Sequence, residues 1–415
     1  MATRVIPASP VRALLDAGDL RAVFQPIVEL QTGATVGYEA LARGPRGSEL
    51  EMPARLFGAA AREGALSDLD RACRRAALET AHAEGLDASR LLFLNAEPAA
   101  IDVESMAELS QEGGESPTSV VVEMTERALT ARPSEVLAAV RLLREHDCRI
   151  ALDDLGADRR SLALMPFLAP DVIKLDIGLT QGSLPADDVA RIMSAVGAEA
   201  ERSGAVVLAE GIETEEHLRR AVAMGATLGQ GWLFGRPGEL PSDPGDRARV
   251  VVPRTPVRGL SSETPFERVA RHRPVRRADK AMLVALSRHL EHEAKTLLGE
   301  AVVAAAFQDA SFFTADTRRG YEELAEAAAL VCALGPGMPE APGTGVRGAS
   351  LAADDPLNGE WIVTVVGPHF AAALVARETG QGDTGDALFE HCVTYDRSLV
   401  IEVTDQLLRR VLRSG

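Results

Sequence analysis

Residues 150–154 read Ile-Ala-Leu-Asp-Asp, three apolar residues followed directly by Asp153 and Asp154. A parallel strand that is buried on both faces is a near-continuous run of Val, Ile, Leu and Ala. The stretch is therefore predicted to be a buried strand that ends on two adjacent carboxylates.

Six further short apolar runs carry a polar residue at or just after their end. They are VGYEAL (36–41), LLFLN (91–95), VVVEMTE (120–126), VIKLD (172–176), VVLAEGIE (206–213) and TLGQG (227–231). Segments with the helical spacing of apolar residues lie between the runs, for example 134–146 and 188–202. Another such helix is predicted to begin after Thr214, a residue type that caps helix N-termini. This alternation favours a closed β/α barrel, since the open doubly wound alternative lacks a GxGxxG-type loop after an early strand.

The polar ends of the runs are predicted to meet, because the carboxyl ends of barrel strands face one common mouth. They offer oxygen ligands that suit Mg²⁺ or Mn²⁺: Glu39, Asn95, Glu123, Asp153 and Asp154. Neighbouring carboxylates repel each other unless cations neutralise them, and a pair of metal ions is a standard device for displacement at a phosphate ester. A single strand-end Glu is more often a helix cap or an ion-pair partner, and Lys174 alone indicates an ion pair. The recurrence of polar residues at the same end of every strand weakens these simpler interpretations.

The chain after residue 237 is predicted to contain a linker and a second, smaller mixed α/β domain. The segment 238–263 is rich in Pro, Gly and Arg and lacks periodicity, which is typical of a linker. The following segments are predicted to be helices: 279–298, 317–334, 369–378 and 397–413. Strands are predicted at 301–308, at 361–368 and around 389–395.

Composition and charge exclude several classes of function. The net charge of −17 argues against nonspecific nucleic-acid binding, which depends on neutralising phosphates. Four cysteines stand far apart without a CxxC pair, which argues against a disulfide framework and fits a reducing cytoplasm. No apolar run approaches the roughly 18 residues of a membrane span, so neither a membrane nor a nucleic-acid partner is expected.

The ordered motifs resemble those of one known family. FQPIV (24–28) and YEALARG (38–44) are followed by LNAEP, EMTE, DDLG, IKLD, AEGIE and GQGWLFGRP. In this order they resemble the EAL domain of cyclic-di-GMP phosphodiesterases, over residues 10–237. The resemblance implies a TIM-like β/α barrel that uses Mg²⁺ or Mn²⁺ in a two-metal site and hydrolyses cyclic di-GMP to linear pGpG.

The same resemblance implies a role for each matching residue. One metal would be held by Glu39, Asn95, Glu123 and Asp153, and the second by Asp153, Asp154 and Glu210. Lys174 would orient or help deprotonate the attacking water, with Glu39 and Glu210 also counted as catalytic. The residues implied to lie along the dinucleotide are Gln25, Leu41, Arg43 and Gln230. Those implied to support the site are Glu126, Asp176 and Glu213.

One loop departs from the family pattern. The family continues DDFGTGYSSL where this chain has DDLGADRRSL, so that Asp158 replaces a glycine, and Arg159 and Arg160 replace a tyrosine and a serine. The two arginines would either bind a substrate phosphate or pair with Asp158 and alter the loop. The departure leaves open an alternative, a weak or inactive barrel that acts as a cyclic-di-GMP receptor or as a protein-interaction module.

The region 264–415 resembles the DICT sensory domain in the stretches TPFERV, FQDASFFTADT, GVRGASLAADDPLNGEW, VVGPHFAAALVAR and VTYDRSLV. The resemblance implies an input domain for an unknown small-molecule or protein signal. Residues that could line its pocket are Arg347, Asp355, Trp361, His369 and Asp396. The prediction is thus a cytoplasmic phosphodiesterase regulated by a C-terminal sensor, with a homodimer as a further expectation.

Overall fold

The structure is a computed structural model, which describes residues 10–87, 89–103, 119–156, 158–241, 251–255, 263–297, 299–381 and 387–411. The chain divides into two units. One consists of Met1–Leu129, Ala139–Ala157 and Ala169–Val257, and the other of Thr130–Ala138, Asp158–Leu168 and Arg258–Gly415. Much of the predicted linker 238–263 lies outside the described residues, and the domain boundaries stay predictions.

Eight strands close into a barrel in the order in which they occur along the chain. They are β1 (Arg21–Glu29), β2 (Thr35–Arg43), β3 (Leu91–Asn95), β4 (Ser119–Thr125), β5 (Arg149–Leu155), β6 (Val172–Leu175), β7 (Val206–Ala209) and β8 (Leu228–Gln230). The predicted TIM-like barrel is confirmed. Strand β1 is antiparallel to both of its neighbours, β2 and β8, while the other pairs are parallel.

One helix precedes the first barrel strand, and further helices follow most of the strands along the chain. They are α1 (Pro10–Ala17), α2 (Pro53–Glu63), α3 (Leu66–Ala83), α4 (Glu126–Ala131), α5 (Pro133–Glu145), α6 (Arg159–Leu168), α7 (Ile177–Gln181), α8 (Ala186–Ser203) and α9 (Glu215–Ala223). The predicted helices at 134–146 and 188–202 correspond to α5 and α8. The cap predicted at the start of α9 is confirmed, since the Thr214 side chain accepts a hydrogen bond from His217 N.

Apolar side chains from the strands fill the barrel interior below its mouth. Phe93, Val121 and Leu208 are fully buried there. Val252, from the segment after the barrel, belongs to the same cluster, and its carbonyl accepts a hydrogen bond from Arg149 Nε at 3.3 Å. Burial of such side chains contributes roughly 1.5–3 kcal/mol each, so the interior is a packed core that leaves only the carboxyl ends of the strands for polar groups.

The second unit is built on a seven-stranded sheet in the order β12-β11-β10-β13-β14-β15-β9. Its strands are β9 (Arg276–Asp279), β10 (Val302–Ala306), β11 (Leu330–Gly335), β12 (Val346–Ser350), β13 (Glu360–Val366), β14 (Ala371–Gln381) and β15 (Ala387–Thr394). Strands β10, β11 and β12 are parallel, and the remaining neighbours are antiparallel. The predicted mixed domain is confirmed.

Four helices accompany this sheet in the described residues: α10 (Pro265–Ala270), α11 (Lys280–Thr296), α12 (Ala315–Ala327) and α13 (Arg397–Val411). The helix predicted at 369–378 is wrong, because these residues form most of β14. The helix predicted at 317–334 is also too long, since its last part is β11. Among all described residues, no helix combines the length and the apolar character that crossing a membrane requires.

Candidate functional site

Lys174 lies at the centre of a cluster of carboxylates in the barrel. Its Nζ is 2.7 Å from Glu123 Oε1 and 2.7 Å from Asp153 Oδ1. It is also 2.8 Å from Glu210 Oε1 and 3.6 Å from Glu39 Oε2. The four acids come from β2, β4, β5 and the end of β7, so closure of the barrel is what brings them together.

The charges in this cluster do not balance. Burial alone would lower the pKa of Lys174, but the surrounding carboxylates raise it well above its ordinary value. Burial and the neighbouring Glu39 raise the pKa of Glu123 well above its usual range. Burial also raises the pKa of Glu210 to about 8, although Lys174 opposes the rise. One ammonium therefore faces several acids whose ionised forms would be stabilised by further positive charge.

The oxygen atoms of the cluster fit a divalent cation. Apart from their contacts with Lys174, both carboxylate oxygens of Glu123 and Asp153 Oδ1 are buried without a hydrogen bond in the described part of the chain. Carboxylate oxygens of Asp153, Asp154 and Glu210 lie within 4.8 Å of one another. Buried acceptors without donors are costly, and an all-oxygen donor set suits Mg²⁺ or Mn²⁺.

A bulge in β5 places both adjacent aspartates at the mouth. Successive side chains of a regular strand point to opposite faces, so Asp153 and Asp154 would ordinarily diverge. The pairing of β5 with β6 shifts between Leu152 and Leu155, and Asp154 has a left-handed backbone with φ of 57°. Burial, reinforced by the charge of Asp153, raises the pKa of Asp154 to about 6. A non-glycine residue in this conformation is strained, and such strain is typical of functional sites.

Amide side chains donate hydrogen bonds to both carboxylate oxygens of Glu39. Asn95 Nδ2 donates to Glu39 Oε1 at 3.1 Å, and Gln230 Nε2 donates to Glu39 Oε2 at 2.7 Å. Gln230 Nε2 also lies 3.2 Å from Gln25 Oε1, and Gln25 Nε2 donates to Gly235 O at 3.1 Å. The predicted site residues Gln25, Gln230 and Glu39 thus form one chain of hydrogen bonds, and Asn95 joins it at the other oxygen of Glu39.

A cavity of about 400 Å³ opens beside these residues and is lined by Glu39, Leu41 and Asn95. Arg43, predicted to contact the substrate, lies half-buried at the end of β2, where its Nη1 donates to Ala42 O at 2.8 Å. Burial, and then the nearby Arg21, lower the pKa of Arg43.

The three residues predicted to support the site take different positions. Glu126 is buried and accepts a hydrogen bond from Gly156 N at 3.2 Å, which links α4 to the loop after β5. Asp176 caps α7 by accepting from Gly178 N at 2.7 Å. Glu213 is exposed in the segment before α9.

In the divergent loop, Arg160 forms an ion pair with a neighbouring carboxylate. Arg160 pairs with Asp158, with Nη2 2.6 Å from Oδ2 and Nε 3.1 Å from Oδ1. Asp158 also accepts a hydrogen bond from the backbone N of Arg160 at the start of α6. Of the two alternatives for these arginines, pairing with Asp158 is the arrangement seen for Arg160.

Sequence reasoning missed a buried ion pair that lines the cavity. Asp70 and Arg74 of α3 pair within one helical turn, and Arg74 Nη2 donates to Ala100 O at 3.1 Å. Both residues lie on the helix face that also buries Leu69 and Ala77. Charged residues four positions apart on an otherwise apolar face were the signal that could have found them.

A sequence model of the EAL domain matches residues 9–237, which is more than half of the chain. The chain belongs to the EAL domain family. A second model, described as the sensory domain in diguanylate cyclases and two-component systems (DICT), matches residues 266–379. The EAL match spans all eight barrel strands, and the DICT match runs from within α10 into β14.

Two curated relatives carry names that state an activity. The cyclic di-GMP phosphodiesterase RocR of Pseudomonas aeruginosa is 29% identical over 236 residues, which is 54% of this chain and 58% of that protein. The probable cyclic di-GMP phosphodiesterase PdeI of Escherichia coli is 28% identical over 59% of this chain and 32% of that protein. The EAL-domain protein therefore spans little more than half, or less, of the length of these relatives.

Solved structures similar to this EAL-domain protein include two ligand complexes. The PaMucR phosphodiesterase in complex with c-di-GMP covers 55% of this chain and 95% of its own, with 24% identity and a TM-score of 0.48. BlrP1 of Klebsiella pneumoniae, in a complex with manganese and cy-diGMP, covers 53% of this chain and 56% of its own, with 29% identity and a TM-score of 0.47.

Proposed function

We propose that this EAL-domain protein is a metal-dependent phosphodiesterase that hydrolyses cyclic di-GMP to linear pGpG. The observation that carries the proposal is the convergence of Glu39, Glu123, Asp153 and Glu210 on Lys174 at the barrel mouth. The activities named for the relatives RocR and PdeI give the proposal its substrate.

Two adjacent sets of ligands would hold two Mg²⁺ or Mn²⁺ ions. Glu39, Asn95, Glu123 and Asp153 form the first set, and Asp153, Asp154 and Glu210 form the second. When bound, such ions lower the pKa of water and stabilise charge on phosphate oxygens. Asp153 would belong to both sets, and the bulge at Asp154 supports the second set because it brings oxygens of Asp153, Asp154 and Glu210 within 4.8 Å of one another.

Lys174 is assigned to orienting the attacking water. Its ammonium stays protonated among the carboxylates and so donates hydrogen bonds to a water oxygen. In the reaction the water loses a proton as its oxygen forms a bond to phosphorus, the bond from phosphorus to O3′ breaks, and O3′ takes up a proton, so that the protons balance. Glu39 and Glu210, within 3.6 Å and 2.8 Å of Nζ, keep the ammonium in position.

The substrate is assigned to the cavity of about 400 Å³ beside Leu41. Gln25 and Gln230 border the site through their bonds to each other and to Glu39, and Arg43 would pair with a phosphate, as guanidinium groups do well. Glu126 would fix the loop after β5 through Gly156. Asp176 and Glu213 would support the site without binding a metal themselves.

Chromatography of the products tests the proposal. Purified protein with Mn²⁺ or Mg²⁺ should convert cyclic di-GMP to pGpG, and Glu39→Ala and Asp153→Asn should abolish the conversion. The enzyme proposal fails if the wild type forms no more product than these two variants with either metal.

A second candidate function is a receptor that binds cyclic di-GMP without turnover. The pairing of Arg160 with Asp158, in a loop that differs from the family pattern, favours it. Calorimetric binding by the wild type together with a flat product trace would establish the receptor. Regulation of the barrel by the region 264–415 is part of the proposal, and so are the cytoplasmic location and the homodimer.

A further inference from the structure

A cavity of about 520 Å³ lies in the second unit. It is enclosed by one face of α11, one face of α12, and residues of β13 and of the segment after β10. Its volume falls within the range of about 300–1,000 Å³ that is usual for small-molecule sites. Of the five residues named from sequence as pocket candidates, only Trp361 is among the residues that line it.

The walls of this cavity are aromatic. Phe307, Tyr321 and Trp361 line it, and the rings of Phe307 and Tyr321 meet edge to face with centroids 5.8 Å apart. Phe312 lies at its edge, beneath the ammonium of Lys280, which is 4.5 Å from the ring centroid. Aromatic rings in these arrangements offer faces and edges to a further planar ring.

A buried hydroxyl group on the cavity wall lacks a hydrogen-bonding partner. Ser287 Oγ makes no hydrogen bond with any described residue, and its side chain is 6% exposed. The hydroxyl of Tyr321, which is 1% exposed, faces the carboxyl of Glu291. Burial raises the pKa of the nearby Glu291, and the Tyr321 hydroxyl partly offsets that rise. An unsatisfied buried hydroxyl is costly, and a polar atom of a ligand would satisfy that of Ser287.

Three Lys or Arg side chains and two acidic side chains, Glu291 and Asp316, line the cavity. Lys280, Arg288 and Lys295 line it from one face of α11, spaced by about two helical turns. Lys295 is neutralised by Glu323 at 2.6 Å, whereas Arg288 is exposed and forms no ion pair within the described ranges. Asp316 pairs with Arg319 at 3.5 Å, and burial raises the pKa of Glu291 and so favours its neutral form. The exposed guanidinium of Arg288 therefore favours an anionic ligand.

We propose that this cavity binds a planar aromatic molecule that carries one anionic group. The rings would pack among Phe307, Tyr321 and Trp361, the anionic group would face Arg288 and Lys280, and a polar ring atom would reach Ser287 Oγ. The proposal does not depend on the phosphodiesterase, because the residues involved all lie within 280–363.

The test uses the full-length protein and the fluorescent anion 1-anilinonaphthalene-8-sulfonate. Saturable binding at one site is expected, together with quenching of Trp361. Because the chain has two tryptophans, Trp232→Phe leaves Trp361 as the sole emitter for this measurement. Binding that does not saturate, or that leaves Trp361 emission unchanged, contradicts the proposal.

Gly320→Leu is designed to fill the cavity. Gly320 lines it from α12, and a Cβ added there meets no atom within 4 Å, so the larger side chain has room. The variant should lose probe affinity at least tenfold while it keeps the wild-type melting temperature. Gly197→Leu makes the same change at an exposed site in α8 and should bind as the wild type does. Equal affinity in a folded Gly320→Leu protein overturns the site.

Arg288→Gln tests the ligand class and does not alter the buried wall. It should weaken binding of the sulfonate about tenfold and leave binding of the uncharged N-phenyl-1-naphthylamine unchanged. Arg219→Gln, which removes an exposed arginine from α9, is the matched control. If Arg288→Gln has no effect on the sulfonate, or weakens both probes equally, the anionic class is wrong.

Discussion

Asp153 and Asp154 are consecutive residues of β5, yet oxygen atoms of both lie within 4.8 Å of a carboxylate oxygen of Glu210. The left-handed backbone of Asp154, with φ of 57°, and the shift in pairing with β6 make this possible. The local strain and the proposed second metal site therefore depend on the same residue, and substitutions can separate the two effects.

Asp154→Asn should reduce turnover at least about 100-fold and leave stability nearly unchanged. Asparagine tolerates the left-handed region as aspartate does but brings no negative charge for a metal. Asp154→Ala should lose the same activity and also about 1 kcal/mol of stability, because alanine is strained at this φ. Product formation and urea unfolding check the pair. A fully active Asp154→Asn protein would remove Asp154 from the metal ligands.

Lys174→Gln should destabilise the metal-free protein by roughly 3–5 kcal/mol, because it leaves four acids without their buried cation. Mn²⁺ should restore part of this loss, since the ion would neutralise the same carboxylates. Unfolding in urea, with EDTA and with Mn²⁺, measures both effects. Arg219→Gln, at an exposed arginine of α9, is the control and should change neither value appreciably. An unchanged stability of metal-free Lys174→Gln would show that the ammonium does not hold the cluster together.

Metal affinity should rise steeply with pH. The pKa of Asp154 is raised to about 6 and that of Glu210 to about 8, so protons occupy these carboxyls at low pH and compete with the ion. Below the pKa of each group, binding of the ion displaces one proton. The metal affinity therefore rises by about tenfold per pH unit for each such group. Titrations with Mn²⁺ at pH 6, 7 and 8 should therefore show tightening binding, and Glu210→Gln should flatten the rise above pH 7. A pH-independent affinity in the wild type would contradict this ligand set.

The barrel could be predicted from the sequence because buried parallel strands are short, apolar and end at a common mouth. Strand β14 was wrongly predicted as a helix, because its first residues are also apolar and buried. The stretch from Ala371 to Ala376 is buried on every side chain, so it shows neither the alternation of a half-exposed strand nor an apolar stripe. A short, alanine-rich run of this kind has no period by which the two structures can be told apart.

The site was predictable in its residue types and less so in its arrangement. Polar residues at strand ends indicated which side chains would meet, but the bulge at Asp154 and the contacts around Lys174 depend on barrel closure. The spacing of Asp70 and Arg74 on an apolar helix face indicates a buried pair, but nothing local shows that this face would border the cavity. Long-range packing decides these features, and periodicity reports only on each element separately.

Glu360 should make the stability of the second unit depend on pH. It is buried at the start of β13, and its Oε2 accepts a hydrogen bond from Phe266 N at 3.0 Å. Burial raises its pKa to about 7, above the ordinary value of 4.5 that applies in the unfolded chain. Between these two values the folded protein binds more protons than the unfolded one, so the contribution is complete below about pH 4.5 and is lost as the pH rises through 7.

Glu360→Gln tests this, because glutamine keeps an oxygen for Phe266 N and cannot ionise. The free energy of unfolding of the wild type, measured in urea, should fall between pH 5 and pH 8. The fall should exceed that of the variant by on the order of 1–3 kcal/mol. Glu378→Gln, at an exposed position of the neighbouring strand β14, should keep the wild-type slope. If Glu360→Gln and the wild type show parallel pH profiles, the carboxyl of Glu360 does not carry the linked proton.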